Sequence, residues 1–311
     1  MTSPRVVIVW GASSGIGRAT AHRLSERGDH VVLVARSQGP LLEAEAECVE
    51  AGAASTLVAS VDVRDAEAVE ALVARVMHLH GRLDAVIHSA GVVAYGRLID
   101  VPAEVFEGVV RTNILGPVNV ARASLPHLRA QNAGSLVLIG SVIGNIAVPQ
   151  MSSYTVTKWA MRSLARELQL ENRDRPGVHV SCVSPGGVDT PIYLQAGNYS
   201  GYVGRPPPPV VSPDKVARVV LRVLEHPRNR VDVGIANKFM RFGFSFFPHL
   251  FDALVGPLFA IAAKDVSQTP ASAGNVLEPQ PELNRLHGDQ GSSTVAIGKK
   301  LAAQLVRPLR R

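Results

Sequence analysis

Three side chains in one stretch carry groups suited to moving a proton at an oxygen: Ser141, Tyr154 and Lys158. Tyr154 and Lys158 stand at i and i+4 in a run with helical spacing (Trp159, Met161, Leu164, Leu168), so phenol and ammonium would share a helix face. A free phenol has a pKa near ~10 and a nearby cation favours the phenolate; bringing it down about three units to working pH takes about 4 kcal/mol. A tyrosine tuned in this way can give a proton to a carbonyl oxygen or take one from an alcohol. Tyr-x-x-x-Lys alone is a weak signal, because chance pairs occur, and its weight depends on its surroundings. Ser141 follows the apolar segment Leu136 to Gly140 and precedes Tyr154 by thirteen positions.

The elements that must position these groups begin near the N-terminus. Arg5 to Val9 is a short β-branched apolar run leading into Gly11-Ala12-Ser13-Ser14-Gly15-Ile16-Gly17, followed by a helical pattern from Arg18 to Arg27 closed by Gly28. Strand, glycine-rich turn and helix in that order form a dinucleotide fingerprint. The glycines permit a tight turn and close backbone approach, and a pyrophosphate sits at the positive end of the helix. Expected contacts are Gly11, Ser13, Ser14, Gly15, Ile16 and Gly17. His30 to Ala35 reads as the second strand, whose end bears on the choice of cofactor. An acidic residue there would hold a ribose 2′-hydroxyl, whereas an arginine accommodates a 2′-phosphate. The chain offers Ala35 and Arg36, so NADP(H) is expected over NAD(H), the plainer reading of Arg36 being a solvated loop charge.

Short apolar runs (Ser55 to Val61, Leu83 to His88, 134 to 140, Gly177 to Val183, Arg230 to Ile235) alternate with helix-forming stretches (41 to 51, 65 to 80, 102 to 129, 213 to 226). This alternation predicts an α/β Rossmann fold with a doubly wound, mostly parallel seven-stranded sheet. Ser141 then falls at the carboxyl end of the fifth strand, where open α/β sheets bind ligands. Asp62-Val63 closes the third strand, but Asp62 serves as well for the N-cap of the next helix, whose first turn holds Asp65 and Glu67. Asn113 stands inside the long helical region, where a poor helix former needs a reason. Residues 191 to 211, with Tyr193, Tyr199, Tyr202 and Pro206 to Pro209, have the length and irregularity of a lid.

The G-x-x-x-G-x-G spacing, Tyr154-x-x-x-Lys158 and a serine thirteen residues before the tyrosine together resemble the classical short-chain dehydrogenase/reductase family, over about residues 5 to 235. The resemblance implies reversible hydride transfer between a nicotinamide and a carbonyl/alcohol carbon. Tyr154 would be general acid in reduction and base in oxidation, Lys158 would lower its pKa and hold the ribose hydroxyls, Ser141 would hydrogen-bond the substrate oxygen, and Asn113 would support a water-linked proton relay. It also implies adenine contacts at Asp62 and Val63 and backbone contacts at Ala90 and Gly91. The turn Pro185-Gly186-Gly187-Val188-Asp189-Thr190 would meet the nicotinamide carboxamide, through Pro185, Gly186, Val188 and Thr190. Three positions depart from the pattern. Trp10 replaces a threonine before the first glycine, His88-Ser89-Ala90-Gly91 replaces Asn-Asn-Ala-Gly, and Ser14 stands where many NADP-preferring relatives carry a basic residue. His88 is expected to be structural.

With 311 residues, a net charge of +6 and 19% charged residues, the chain has a mild basic bias but no long Lys/Arg run in its first 290 residues, which argues against nucleic-acid binding. Two cysteines far apart, Cys48 and Cys182, exclude a disulfide framework and fit a reducing cytoplasm. The first nine residues lead straight into the glycine turn, leaving no room for a cleavable signal peptide. No metal site is expected. Residues 1–237 are expected to form the catalytic domain with its lid at 190–211, followed by an apolar helical extension at 238–264 and a polar, flexible tail at 265–311. The extension is interrupted by Arg241, Pro248, His249 and Asp252, against a spanning helix; packing on the body, an oligomer interface and a membrane surface are its alternatives, in that order. The basic end KKLAAQLVRPLRR reads as a solvated tail or a contact with anionic lipid. The aromatic lid points to an apolar small-molecule substrate, and the enzyme is expected to be a cytoplasmic homo-oligomer, dimer or tetramer. Two rivals stand beside the enzyme: a non-catalytic NADP(H)-binding regulator, and a membrane-surface or scaffold protein acting through residues 238–263.

Overall fold

In β1 (Val6–Trp10) every residue is apolar and buried, which marks a strand covered on both faces. The computed structural model of the chain describes residues 3–291 and residue 298. After β1 come α1 (Gly15–Ser25), β2 (His30–Ala35), α2 (Gln38–Glu50), β3 (Ser55–Ser60), α3 (Ala66–His80), β4 (Ala85–His88) and the two-residue β5 (Ala94–Tyr95). Then α4 (Ala103–Val110) runs through a π-helical turn at Arg111–Leu115 into α5 (Gly116–Gln131), β6 (Gly134–Ile139), α6 (Ser152–Glu171) and β7 (Val178–Pro185). The last elements are β8 (Gly197–Asn198), β9 (Tyr202–Gly204), α7 (Pro213–Glu225), β10 (Arg230–Val233), α8 (Ala236–Phe246), α9 (Pro248–Ala262) and β11 (Lys264–Gln268).

Seven strands form one sheet in the order β10-β7-β6-β4-β1-β2-β3, and every pairing in it is parallel. The winding reverses between β1 and β4, which opens a crevice at their carboxyl ends. One face of the sheet is covered by α3, α5 and α6, through residues such as Val73, Leu128 and Met161; the other is covered by α1, α2 and α7, through Leu24, Leu41 and Val220.

Local chemistry sets the boundaries that matter for the crevice. The Asp65 carboxylate accepts from the Ala68 amide at 3.0 Å and caps α3, which ends at Gly81 in the left-handed region. Asp62 is therefore not the cap, and its oxygens instead accept from the Arg64 backbone (2.9 Å) and Nε (2.8 Å). Trp10 and His88 face each other in the β1/β4 register, both fully buried. Burial and the charge of Lys158 hold the His88 imidazole down to about 3, so it is a neutral packing group.

The chain beyond β10 departs from expectation. The apolar extension is helical, as α8 and α9, but the segment expected to be a flexible tail is packed on the body as far as residue 291. β11 pairs antiparallel with β9 of the lid, and the buried Arg205 guanidinium holds Asp265 at 2.9 Å. Val276 is fully buried where Gly108 leaves room; a Cβ on Gly108 would meet its Cγ1 at 2.7 Å. One valine and one glycine in complementary places outweigh a polar, Pro/Gly-rich composition. The basic end at 299–311 lies outside the described residues. No helix among the described residues is long and apolar enough to cross a membrane.

Candidate active site

Helix α6 begins at Ser152, which puts Tyr154 in its first turn and Lys158 one turn on. The Lys158 ammonium lies 5.5 Å from the centre of the Tyr154 ring and donates to the Ile139 carbonyl, the last residue of β6, at 3.0 Å. It is 5% exposed. Two residues further along, Ser141 Oγ accepts from the Ile143 amide at 3.2 Å. Strand β6 thus supplies the acceptor for the amine, and the turn just past its end supplies the serine facing the phenol.

Burial governs the electrostatics here. It pushes the Tyr154 phenol up to about 12, with a hydrogen bond to Ser141 pulling the other way, and it draws the Lys158 amine down to about 8. The spacing of the pair led us to expect an ammonium that acidifies the phenol. In the structure burial sets the phenol high, and the amine is aimed at the Ile139 carbonyl.

Asn113 sits at the centre of the π-helical turn, fully buried. Such turns recur at functional sites, and this one points the amide at Val92 and Thr157. Its Oδ1 accepts from the Val92 N–H at 2.9 Å, and its Nδ2 donates to the Val92 carbonyl at 2.8 Å and to Thr157 Oγ1 at 3.1 Å. Every polar atom of the side chain is engaged. It ties the loop after β4 to the residue preceding Lys158.

Two cavities meet around these groups. One, of about 150 Å³, is lined by Gly11, Ser13, Ser14, Gly15, Ile16, Arg36, Asp62, Val63, Ala90, Gly91 and Thr190. The other, of about 770 Å³, is lined by Ser141, Tyr154, Lys158, Pro185, Gly186, Val188 and Thr190. Ile16, Gly91 and Thr190 belong to both, so the crevice is continuous from the glycine turn to the phenol. Of the expected contacts only Gly17 and Asn113 line neither. Gly17 acts by packing, since a Cβ there would fall on the Gly11 carbonyl.

The smaller cavity suits a dinucleotide. Gly11 has φ +82° and no space for a side chain, because a Cβ would meet the Ala90 nitrogen at 2.7 Å, so only glycine lets this turn pack against the loop after β4. The N-cap Ser14 makes no side-chain capping bond, and at the positive end of α1 the Gly15 amide donates to the Arg285 carbonyl at 3.0 Å. Arg36 donates through Nη2 to the Asn275 carbonyl at 2.8 Å, while its buried Nη1 has no partner among the described residues. For Asp62, burial alone would raise the carboxyl, but the hydrogen bonds and charge of Arg64 hold it below the usual range.

Tyr193 of the lid faces the larger cavity beside Tyr154, as does Tyr95, which escaped sequence reasoning, and burial drives both phenols above their ordinary value. The roof comes from α8 and α9. Phe244 rests edge-on against Trp159 of α6 and against Phe251, while Leu250, Leu254 and Leu258 line the cavity and are about half exposed at its mouth. Phe242 and Phe246 face outward. The aromatic run of 239–251 was the available signal. For Asn275, Pro279, Gln280 and Asn284, which line the smaller cavity, the sequence carried none.

Residues 5–198 match the short chain dehydrogenase family profile. An uncharacterized oxidoreductase of Bacillus subtilis is 30% identical over 81% of this chain and 71% of its own length. A metagenomic short-chain oxidoreductase, solved in complex with NADP, is 28% identical, with a TM-score of 0.63 over 74% of this chain and 98% of its own. An alcohol dehydrogenase from the archaeon Thermococcus sibiricus, complexed with 5-hydroxy-NADP, is 30% identical, with a TM-score of 0.64 over 75% of this chain and 95% of its own.

Proposed function

Since the chain belongs to the short-chain dehydrogenase/reductase family of oxidoreductases, we propose that it uses NADP(H) to interconvert a carbonyl and an alcohol on an apolar small molecule. The observation that carries this reading is a serine, a phenol and an amine on the floor of an apolar cavity of about 770 Å³ that is continuous with the glycine turn. The nicotinamide, when bound, supplies or accepts the hydride.

Tyr154 is protonated at neutral pH and donates to the carbonyl oxygen in reduction, taking the proton back in oxidation. Ser141 hydrogen-bonds the same oxygen. Lys158, beside Gly91 and above the end of β6, holds the ribose hydroxyls and, when charged, favours the phenolate. Asn113 is a positioning residue, fixing Val92 and Thr157 on either side of the amine. Gly11 to Gly17 take the pyrophosphate, Asp62 and Val63 the adenine, and Pro185 to Thr190 the nicotinamide.

For the cofactor, what supports NADP(H) is Arg36 at the end of β2 with one nitrogen unpartnered in the cleft, together with the NADP and 5-hydroxy-NADP bound in two similar structures. Aromatic and aliphatic lining from Tyr95, Ile146, Phe251 and Phe259 favours an apolar substrate. Two buried free cysteines agree with a cytoplasmic setting. The outward Phe242 and Phe246 are where a second copy of the chain would bind.

A regulator without turnover would have no use for a buried, costly Tyr/Lys pair. The test is a panel of apolar ketones, aldehydes and alcohols followed at the nicotinamide absorbance with both cofactors. Tyr154→Phe should lower kcat by about 10² to 10⁴ and leave the Kd for NADPH unchanged. Undiminished turnover in that variant, or turnover with NAD(H) alone, defeats the reading.

A further inference from the structure

Resting on that reading of the crevice, we infer that residues 274–288 form the outer wall of the dinucleotide site, a strap that closes over the adenosine and pyrophosphate half of the bound cofactor.

The strap is tied down at both ends of the crevice. At the adenosine end Arg36 Nη2 donates to the Asn275 carbonyl at 2.8 Å, and Val276 plugs the space over Gly108. At the nicotinamide end the Asp189 carboxylate accepts from the Gly288 amide at 3.1 Å and meets His287 Nδ1 at 3.1 Å. Gly288 is buried, and a Cβ on it would meet the Thr190 carbonyl at 2.7 Å, so the strap lies directly on the turn assigned to the carboxamide. Between these ends Asn284 accepts from Gln195 Nε2 at 2.6 Å and donates to Ser13 Oγ at 3.3 Å, and the Arg285 carbonyl accepts from the Gly15 amide at 3.0 Å. The glycine turn is thus contacted from outside by one segment.

What points to a ligand is the pair of polar atoms left over. Gln280 Oε1 on the strap and Arg36 Nη1 on the body are both buried, both belong to residues lining the smaller cavity, and neither has a hydrogen-bond partner among the described residues. Unsatisfied buried polar groups are rare and costly, and when two of complementary kind flank one slot, a ligand with acceptors and donors relieves both. A 2′-phosphate suits the guanidinium, and a ribose hydroxyl or an adenine amino group suits the amide oxygen. The Arg285 carbonyl occupies the Gly15 amide, a donor that the pyrophosphate would need, so the strap must lift from the glycine turn to admit a dinucleotide and settle again around it, and release must wait for it to lift.

The test uses the full-length protein with NADP+ and NADPH as probes, measuring Kd by fluorescence titration, release by stopped-flow displacement, and amide hydrogen exchange across 274–288. NADP+ should slow exchange in that segment. Gln280→Ala should raise Kd about three- to tenfold, the effect of one hydrogen bond, and Asn284→Ala, which frees the strap from Ser13, should speed both association and release. A wild type that binds NADP+ without protecting the segment overturns the strap whatever the variants do. Tighter binding in the variants overturns it too, since the segment would then obstruct the site. Failure of the wild type to bind either nucleotide instead removes the cofactor reading beneath it.

Discussion

Replacing Lys158 by methionine should stabilise the protein at neutral pH while stopping turnover, and the stability gain should disappear as the pH is raised. The amine is 5% exposed, and burial draws its pKa from 10.5 to about 8. At 1.36 kcal/mol per unit, keeping it protonated in the folded state costs about 3 kcal/mol relative to the unfolded chain. Between pH 8 and 10.5 the unfolded chain holds this proton and the folded chain does not, so wild-type stability rises with pH through that window. Below pH 8 the cost is present in full. Methionine abolishes the titration but leaves the Ile139 carbonyl without its donor at 3.0 Å, a loss of about 1 kcal/mol. The net gain is then about 2 kcal/mol at pH 7 and turns into a loss of about 1 kcal/mol near pH 10.5. Urea denaturation of both proteins at the two pH values reads this directly, as a swing of about 3 kcal/mol in their difference. Parallel pH dependences would refute the reasoning, because they would mean that the amine is not desolvated on folding.

Changing Arg36 to alanine should lower kcat/KM for NADPH about 10- to 100-fold, the worth of a hydrogen bond to a charged group, and leave NADH nearly unaffected; equal losses with both cofactors would return Arg36 to the role of a solvated charge. Asn113→Ala strands the N–H and carbonyl of buried Val92, so unfolding should become easier by about 2 to 5 kcal/mol. Full stability with lost activity would favour the relay over positioning. Serine at both Phe242 and Phe246 should reduce the oligomeric mass measured by sedimentation. An unchanged mass combined with weaker flotation on liposomes would give that face to a lipid surface.

The parts legible in the sequence were those written in local spacing. Gly11 to Gly17 between strand and helix, Tyr154 and Lys158 one turn apart, and Ser141 at a strand end each follow from the geometry of a few bonded neighbours. The all-parallel sheet followed from fully apolar runs alternating with helices. Other features depend on neighbours distant in the chain. The pKa values of Tyr154 and Lys158 answer to the dielectric around them, and the i, i+4 spacing says nothing of how deeply the pair is buried or that Ile139 stands ready for the amine. The hold of Asn113 on Val92, twenty-one positions away, is likewise absent from its local spacing. The segment after β11 read as flexible because its composition is that of a linker. What orders it is a valine seated on Gly108 and an aspartate beside Gly288, contacts formed across more than ninety residues of chain. Sequence by itself thus determined the fold class and the chemical groups, since backbone propensity and helix periodicity act over a few residues. Tertiary structure alone decided the protonation states, the apolar roof and the strap, since burial and charge act through space and ignore the order of the chain.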